Sequence, residues 1–213
     1  MFFLDRDQFH GLNVSLLTSF VTSWERYYRD PVSVYPGGNQ PIDYLRELNL
    51  SGDLTAENVT RLLRWKDPRM LTHPKVSGGG AAANEQVVRV LEELHRLNEF
   101  RRGEMDEKSF EAVTKQVFPS GFVWPLFLFH IARPWEWPIG DQHVFRAYTA
   151  LFGVQSPETF ADFRHYRRSF SDLAGRLMLS AQSNAERSAT VASNKRLDNA
   201  LMAYGQFLDA YDR

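Results

Sequence analysis

The residue types best suited to chemistry lie in one stretch, residues 118–148. Within it Asp141 is followed closely by His143 and Arg146. An ionised carboxylate can stabilise a developing positive charge or take a proton from water. Asp141 also stands where an aspartate can cap a helix, because apolar residues recur at helical spacing directly after it. The two roles are compatible, so the pattern predicts a capped helix whose capping carboxylate is a catalytic candidate.

A tight turn and an aromatic connection precede this aspartate. Residues 119–121 (Pro-Ser-Gly) predict the turn, since proline fixes φ and glycine tolerates positive φ. The apolar run over residues 122–129 predicts a buried helix, and the Arg-Pro pair at residues 133–134 ends it. Trp135 and Trp137 then lie in the connection to the next helix.

The order and spacing of these residues resemble the helix-hairpin-helix DNA glycosylase superfamily, which includes endonuclease III and the adenine and alkylpurine glycosylases. In that family a Leu-Pro-Gly-Val-Gly hairpin starts an apolar helix, and a Val-Asp-Thr-His-Val-x-Arg segment follows a little over twenty residues after its proline. Here Phe-Pro-Ser-Gly occupies residues 118–121 and Ile-Gly-Asp-Gln-His-Val-Phe-Arg occupies residues 139–146, with 22 positions from Pro119 to Asp141. The hairpin keeps one glycine where the family uses two.

The resemblance implies a role for each part of the motif. Asp141 corresponds to the family's catalytic aspartate, which stabilises the oxocarbenium-like sugar and activates water as the N-glycosidic bond breaks. Bifunctional members carry a lysine at the start of the helix after the hairpin, where Val123 and Trp124 stand here, so a monofunctional enzyme is implied. The excised base enters an aromatic pocket. The candidate substrate-binding residues are Trp135, Trp137, Trp124 and His143, although core packing explains such tryptophans equally well.

Candidate DNA contacts come from the hairpin, the motif and a basic stretch. Residues 61–75 hold five basic side chains and one acidic side chain, a local excess of four positive charges. Such a stretch is suited to phosphate contacts, and it is also explained as a solvated helix end. A second basic and aromatic cluster, residues 164–168, has the same two interpretations. The candidate DNA-binding residues are Ser120, Gly121, Arg146, Arg61, Arg64, Lys66, Arg69 and Lys75.

The composition excludes several classes of protein. The 213-residue chain has no cysteine, which excludes disulfides, thiol nucleophiles, cysteine-bound zinc and the iron–sulfur cluster of some relatives of the resembled family. A net charge of -1 gives no global attraction to nucleic acid, so any DNA contact must be local. The six histidines include no closely spaced ligand pair, and neither a metal nor another cofactor is expected.

Apolar residues at helical spacing predict an all-α fold, a helical bundle like that of the resembled glycosylases. Thr55 and Asp106 are predicted helix caps, and the two helices over residues 157–179 and 184–211 are long enough to pack as an antiparallel pair. The glycine-rich residues 72–83 predict a flexible loop. We expect one all-helical domain over residues 1–213, built as a single body or as two interleaved lobes.

Neither a membrane partner nor export is expected. The longest apolar run is far shorter than the roughly 20 residues that a membrane-spanning helix needs. The first five residues contain no basic segment and reach Asp5 before an apolar run develops, so a signal peptide is not expected and a cytoplasmic location is.

These observations predict a monofunctional DNA glycosylase that excises a damaged or modified base. DNA repair is one setting, and removal of a hypermodified base from phage DNA in phage defence is another. Two other classes stay open. One is a non-catalytic helical module that binds nucleic acid or a protein on the same scaffold, and the other is a helical interaction protein with no nucleic-acid role. The salt dependence of DNA affinity separates an extended phosphate contact from its absence.

Overall fold

The computed structural model of the chain describes residues 14–29, 42–67, 85–179 and 187–211. Every regular element within these ranges is a helix, which confirms the all-α prediction. The finer prediction, a helix-hairpin-helix glycosylase fold, stays a prediction. In chain order the helices are α1 (Val14–Glu25), α2 (Tyr44–Glu47), α3 (Ala56–Lys66), α4 (Glu85–Glu92), α5 (Leu94–Arg102), α6 (Glu107–Val117), α7 (Val123–Ala132), α8 (Gln142–Phe152), α9 (Phe160–Leu179) and α10 (Arg187–Tyr211).

Some sequence predictions lie outside the described residues. They are the glycine-rich loop over residues 72–83 and the contributions of Arg69 and Lys75 to the basic stretch. Among the residues that are described, no helix combines the length and the apolar character needed to cross a membrane.

Three helices begin at the capping side chains that the sequence predicts. Thr55 accepts a hydrogen bond from the amide of Asn58 at 3.2 Å, and the Asn58 side chain accepts one from the amide of Thr55 at 3.1 Å. Asp106 accepts one from the amide of Ser109 at 2.9 Å, at the start of α6. Asp141 caps α8 in the same way. These caps pair amides that the first turn of a helix leaves without a partner. Because the cap and the amide are close in sequence, the start of each helix can be predicted from a short segment.

One predicted boundary differs from the structure, and one predicted helix pair is only part of a larger packing arrangement. Helix α9 begins at Phe160 and not at residue 157, because Thr159 caps it and accepts a hydrogen bond from the amide of Asp162 at 3.2 Å. Helices α9 and α10 contact each other, but α10 packs more extensively against α8 and α1.

The chain divides into two compact units. The first, here called the terminal unit, comprises the described residues within Met1–Tyr28 and Trp135–Arg213 and contains α1, α8, α9 and α10. The second, the central unit, comprises the described residues within Arg29–Pro134 and contains α2 to α7. The hairpin of the motif therefore lies in the central unit, and Asp141 lies in the terminal unit.

In the terminal unit, a close helix crossing holds the N-terminus of α8. Gly205 on α10 lies against the backbone of His143, so that an added Cβ would stand 1.8 Å from the carbonyl oxygen of His143. Only glycine fits such an approach. Further along the same two helices, Arg146 Nη2 lies 3.0 Å from Asp209 Oδ1. The crossing fixes α10 beside the residues that directly follow Asp141.

In the central unit, a cluster of phenylalanines forms the middle of the core. Phe100 on α5 stacks on Phe110 of α6 with ring centroids 4.3 Å apart, and both rings meet the edge of Phe129 on α7, at 5.1 and 4.8 Å. All three rings are buried. Because α7 carries Phe129 into this core, its N-terminus, which follows the hairpin, is held by the rest of the unit.

Candidate functional site

Asp141 is a half-buried side chain at the N-terminus of α8. Its backbone is extended, with φ -150° and ψ 150°, and its Oδ1 accepts a hydrogen bond from the amide of His143 at 3.0 Å. The unpaired amides and the helix dipole at this end favour a negative charge. The capping role of Asp141 is confirmed, and the residue is partly exposed to solvent. Its catalytic role stays a prediction.

The other two polar residues of the motif contact each other. Arg146 Nη1 lies 3.1 Å from His143 Nδ1, while Nη2 of the same arginine pairs with Asp209. Arg146 therefore has an acidic partner within the terminal unit, which is a structural role for it. The DNA contact predicted for Arg146 and the substrate contact predicted for His143 stay predictions.

The two tryptophans before Asp141 have different environments. Trp137 has no exposed surface; its ring stacks on Phe163 at 5.8 Å, and the guanidinium of Arg167 lies 4.1 Å from its centroid. Trp135 is half-buried, with Arg187 lying 4.2 Å from its ring centroid. Trp137 can meet a base only after its packing changes, so the structure favours a core role for it, whereas Trp135 presents part of its ring.

The second basic and aromatic cluster, residues 164–168, does not form one surface. Tyr166 is 1% exposed and lies inside the terminal unit, while Arg167 donates a hydrogen bond to the carbonyl of Glu136 at 2.8 Å. The spacing Phe163, Tyr166, Phe170 in the sequence is a helical period, and it was the signal that Tyr166 belongs to a buried face.

A buried ionisable group on α10 was missed by sequence reasoning. Asp198 is 2% exposed, and its Oδ2 lies 3.3 Å from Nζ of Lys195. Burial raises the pKa of the Tyr166 hydroxyl well above its ordinary value, and the charges of Asp198 and Asp141 act in the same direction. No local motif predicts the burial of Asp198, because the burial results from the helices that pack around it.

The predicted turn at residues 119–121 lies in the central unit and has a positive φ at its glycine. Ser120 and Gly121 are exposed, and Gly121 has φ +90°, in the left-handed region that glycine adopts without strain. A Cβ added at Gly121 would meet nothing within 4 Å, so the backbone there faces open space. Trp124, one residue into α7, is half-buried and stacks on Phe118 with centroids 5.7 Å apart.

The described basic side chains of the basic stretch are exposed or half-buried. Arg61 pairs with the buried carboxylate of Glu47 at 3.1 Å and with Glu57 at 2.6 Å, and these contacts raise the pKa of Arg61. Lys66 Nζ lies 5.9 Å from the ring of Phe127, which in turn meets the ring of Trp124 at 6.0 Å. Lys66 therefore lies at the end of α3 that approaches the first turns of α7. The remaining described candidate, Arg64, is half-buried.

The terminal unit also carries an open groove of about 480 Å³ between the end of α8 and the first half of α9. Its wall includes the acids Glu158, Asp162 and Asp172 and the bases His165 and Arg168. Asp162 is already used there, since it accepts a hydrogen bond from the amide of Thr159 at 3.0 Å. The groove is lined by both signs of charge, and so it does not select an anionic or a cationic ligand.

No cluster of three or more histidine or acidic side chains suited to a metal ion occurs in the described ranges. Comparisons of the chain with protein-family models, with curated proteins and with solved structures find no match.

Proposed function

We propose that this protein is a monofunctional DNA glycosylase and that Asp141 is its catalytic carboxylate. The observation that carries the proposal is the placement of Asp141: a half-buried acid at the N-terminus of α8, partly exposed and held by the amide of His143. A carboxylate fixed in this way is already oriented before substrate arrives, which is what electrostatic stabilisation of a cationic transition state requires.

The reaction needs one carboxylate. The bond between C1′ of the sugar and the base nitrogen breaks, its electron pair leaves with the base, and positive charge develops on the sugar. Asp141 stabilises that charge and accepts a proton from the water that attacks C1′. The base takes up the proton that the water gives up, so the products are a free base and an abasic site, and Asp141 is ionised again. Val123 and Trp124 occupy the positions of the lyase lysine in the resembled family, so no strand cleavage through a Schiff base is proposed.

The central unit supports DNA binding at the hairpin. Exposed backbone at Ser120 and Gly121 can approach a phosphate, and the N-terminus of α7 directly follows it. Lys66 adds a positive charge near the first turns of α7. These contacts are local, in agreement with the near-zero net charge of the chain.

A non-catalytic module on the same scaffold is the second candidate, and two observations favour it. Trp137 is fully buried and offers no ring face to a base. Arg61 and Arg146 both pair with acids of their own units. In this alternative Asp141 is a helix cap only, and the protein binds DNA or a protein partner without releasing a base.

The deciding experiment measures base release by wild type and Asp141→Asn. Both proteins are incubated with DNAs that carry varied modified bases, including heavily modified phage DNA, and free base is measured by mass spectrometry together with abasic sites. Asparagine caps a helix as well as aspartate does, so the fold is expected to persist. Asp106→Asn is the matched control: Asp106 caps α6 through the same kind of contact, and hydrogen bonds from Ser109 hold the pKa of its carboxyl below the usual value.

Wild type and Asp106→Asn are expected to release the same base, with release by Asp141→Asn at least about 100-fold slower. Equal release by Asp141→Asn would overturn the catalytic role of Asp141. No release by wild type over the whole panel, with DNA binding retained, would favour the non-catalytic module.

A further inference from the structure

Each of the two tryptophans in the loop before Asp141 has an arginine over its ring, and the two arginines have different surroundings. Arg167 lies over the buried ring of Trp137. It also donates a hydrogen bond to the carbonyl of Glu136 at 2.8 Å, and its Nη2 lies 3.6 Å from Oε2 of the same residue. These contacts tie Arg167 into the fold of the terminal unit, so they explain its presence without a ligand.

Arg187, the first residue of α10, lies over the other ring, that of Trp135. The carbon of its guanidinium is 4.2 Å from the ring centroid, and Arg187 is an exposed residue. It forms no ion pair with an acid among the described residues. The indole beneath it is held in place, because Nε1 of Trp135 donates a hydrogen bond to Oε1 of Glu136 at 3.2 Å.

A guanidinium that lies over an indole and has no acidic partner is suited to two contacts. Arginine is planar and weakly hydrated, so a nucleobase can stack on it as on an aromatic ring. Its N–H donors lie in the same plane and can bind a phosphate through two parallel hydrogen bonds. Attraction between the guanidinium and the indole holds this long side chain, which lowers the entropy cost of binding. Proteins recognise an unstacked nucleotide through the same two contacts, a stacked base and a bound phosphate.

The place of the pair in the chain also favours a nucleotide. Trp135 is half-buried and stands six residues before Asp141, in the same unit. The ring of Trp137 is covered, so Trp135 is the tryptophan of this loop that can contribute to a surface contact. Packing of α10 adds the positive charge that the loop itself lacks.

We propose that Arg187 and Trp135 form a binding site for one unstacked nucleotide of DNA. The base stacks on the pair, and the guanidinium of Arg187 donates hydrogen bonds to the phosphate. In the proposed glycosylase the bound nucleotide is the one whose base is released, and that assignment rests on the proposed function. The site itself needs no chemistry, so it is equally suited to the non-catalytic module.

The test compares two fluorescein-labelled duplexes of the same sequence, one fully paired and one with a single unpaired thymine. The unpaired thymine supplies an unstacked base without any modification. Affinities are measured by fluorescence anisotropy at one salt concentration. Wild type is expected to bind the duplex with the unpaired thymine at least about 5-fold more tightly, which is the lower end of what stacking of one base contributes.

Arg187→Lys is the decisive variant, because lysine keeps the positive charge and loses the planar group. We expect it to reduce the preference to below about 2-fold while the affinity for the paired duplex stays the same. Because Arg187 is exposed, the melting temperature is expected to stay unchanged.

Arg26→Lys is the matched control. Arg26 is also an exposed arginine of the terminal unit that lies over an aromatic ring, 4.9 Å from the centroid of Tyr27. This variant is expected to keep the full preference for the unpaired thymine.

Each outcome either supports or overturns the site. No preference in wild type, or the same preference in wild type and Arg187→Lys, would overturn it and leave the proposed function standing if base is released. An equal loss in Arg26→Lys would also overturn it, because any exposed arginine over a ring would then have the same effect. A preference that depends on Arg187, found without base release by wild type, would support the site and overturn the proposed function.

Discussion

Two buried polar side chains, Arg101 of the central unit and Tyr166 of the terminal unit, differ in how their polar atoms are paired. In the central unit Arg101 is 6% exposed, and its guanidinium uses all five of its N–H donors. The acceptors are the carbonyl oxygens of Gly52, Ile131, Ala132, Leu48 and Asn49, at 2.7 to 3.1 Å. In the terminal unit the hydroxyl of Tyr166 is buried with no hydrogen bond to any described residue.

The complete pairing of Arg101 indicates that this side chain holds the fold of its unit together. Arg101 joins the carboxyl ends of α2 and α7 to the loop before α3, and a positive charge suits helix C-termini. Every donor is used, so nothing in that arrangement is left for a ligand. The hydroxyl of Tyr166, in contrast, makes no hydrogen bond to a described residue. We therefore expect substitutions at Arg101 to act on stability, and substitutions at Asp141 to act on the proposed function.

The largest expected effect on stability is that of Arg101→Met. The change removes the hydrogen bonds that Arg101 donates to five carbonyl oxygens. The free energy of unfolding is therefore expected to fall by about 3 to 5 kcal/mol in urea titrations. Arg102→Met is the neighbouring control, because Arg102 is an exposed residue that pairs with Asp53 and Glu104 at 2.7 Å. It is expected to change stability little. Equal effects of the two changes would erase the contrast between the units.

A smaller loss is expected for Gly205→Ala. The new Cβ would collide with the His143 carbonyl, and α10 must shift to relieve the clash, which costs about 1 to 3 kcal/mol in thermal or urea unfolding. Gly175→Ala on α9 is the control: its Cβ meets nothing within 4 Å, and alanine is a better helix former by about 0.5 to 1 kcal/mol. Opposite signs for the two alanines would confirm the close crossing, and a harmless Gly205→Ala would contradict it.

The smallest effect concerns alkaline pH. The pKa of Tyr166 is raised by burial well above its ordinary value of 10.0, so the folded state keeps the phenol proton at pH values where the unfolded state loses it. The neutral, buried phenol therefore contributes fully to stability below pH 10. As the pH rises further, ionisation in the unfolded state lowers the free energy of unfolding by up to about 1.4 kcal/mol per pH unit. Unfolding titrations between neutral pH and pH 11 are expected to show a shallower decline for Tyr166→Phe. Identical slopes would contradict the burial of this phenol.

The sequence predicted the parts of the molecule that depend on near neighbours. Thr55, Asp106 and Asp141 cap helices through amides two or three positions ahead, and the turn at Gly121 needs only one residue with positive φ. Such features follow from local hydrogen bonding and backbone sterics, so a single sequence reveals them.

The sequence could not predict contacts between distant segments. In the sequence Arg101 is a basic residue near a helix end, and only the fold surrounds it with the carbonyls of α2 and α7. In the sequence Gly205 is a weak helix former, and only the fold brings it against His143. The sequence leaves Trp137 open between a pocket and the core, and only the packing of Phe163 and Arg167 decides that its ring is covered. These outcomes depend on tertiary contacts that local patterns do not encode.

The central claim is that Asp141 does chemistry as well as capping α8. The most direct measurement is a single-turnover time course of free-base release from modified DNA by wild type and Asp141→Asn, with melting temperatures recorded for both. We expect release by wild type, release at least about 100-fold slower by Asp141→Asn, and equal melting temperatures. Release at the same rate by both proteins would contradict it.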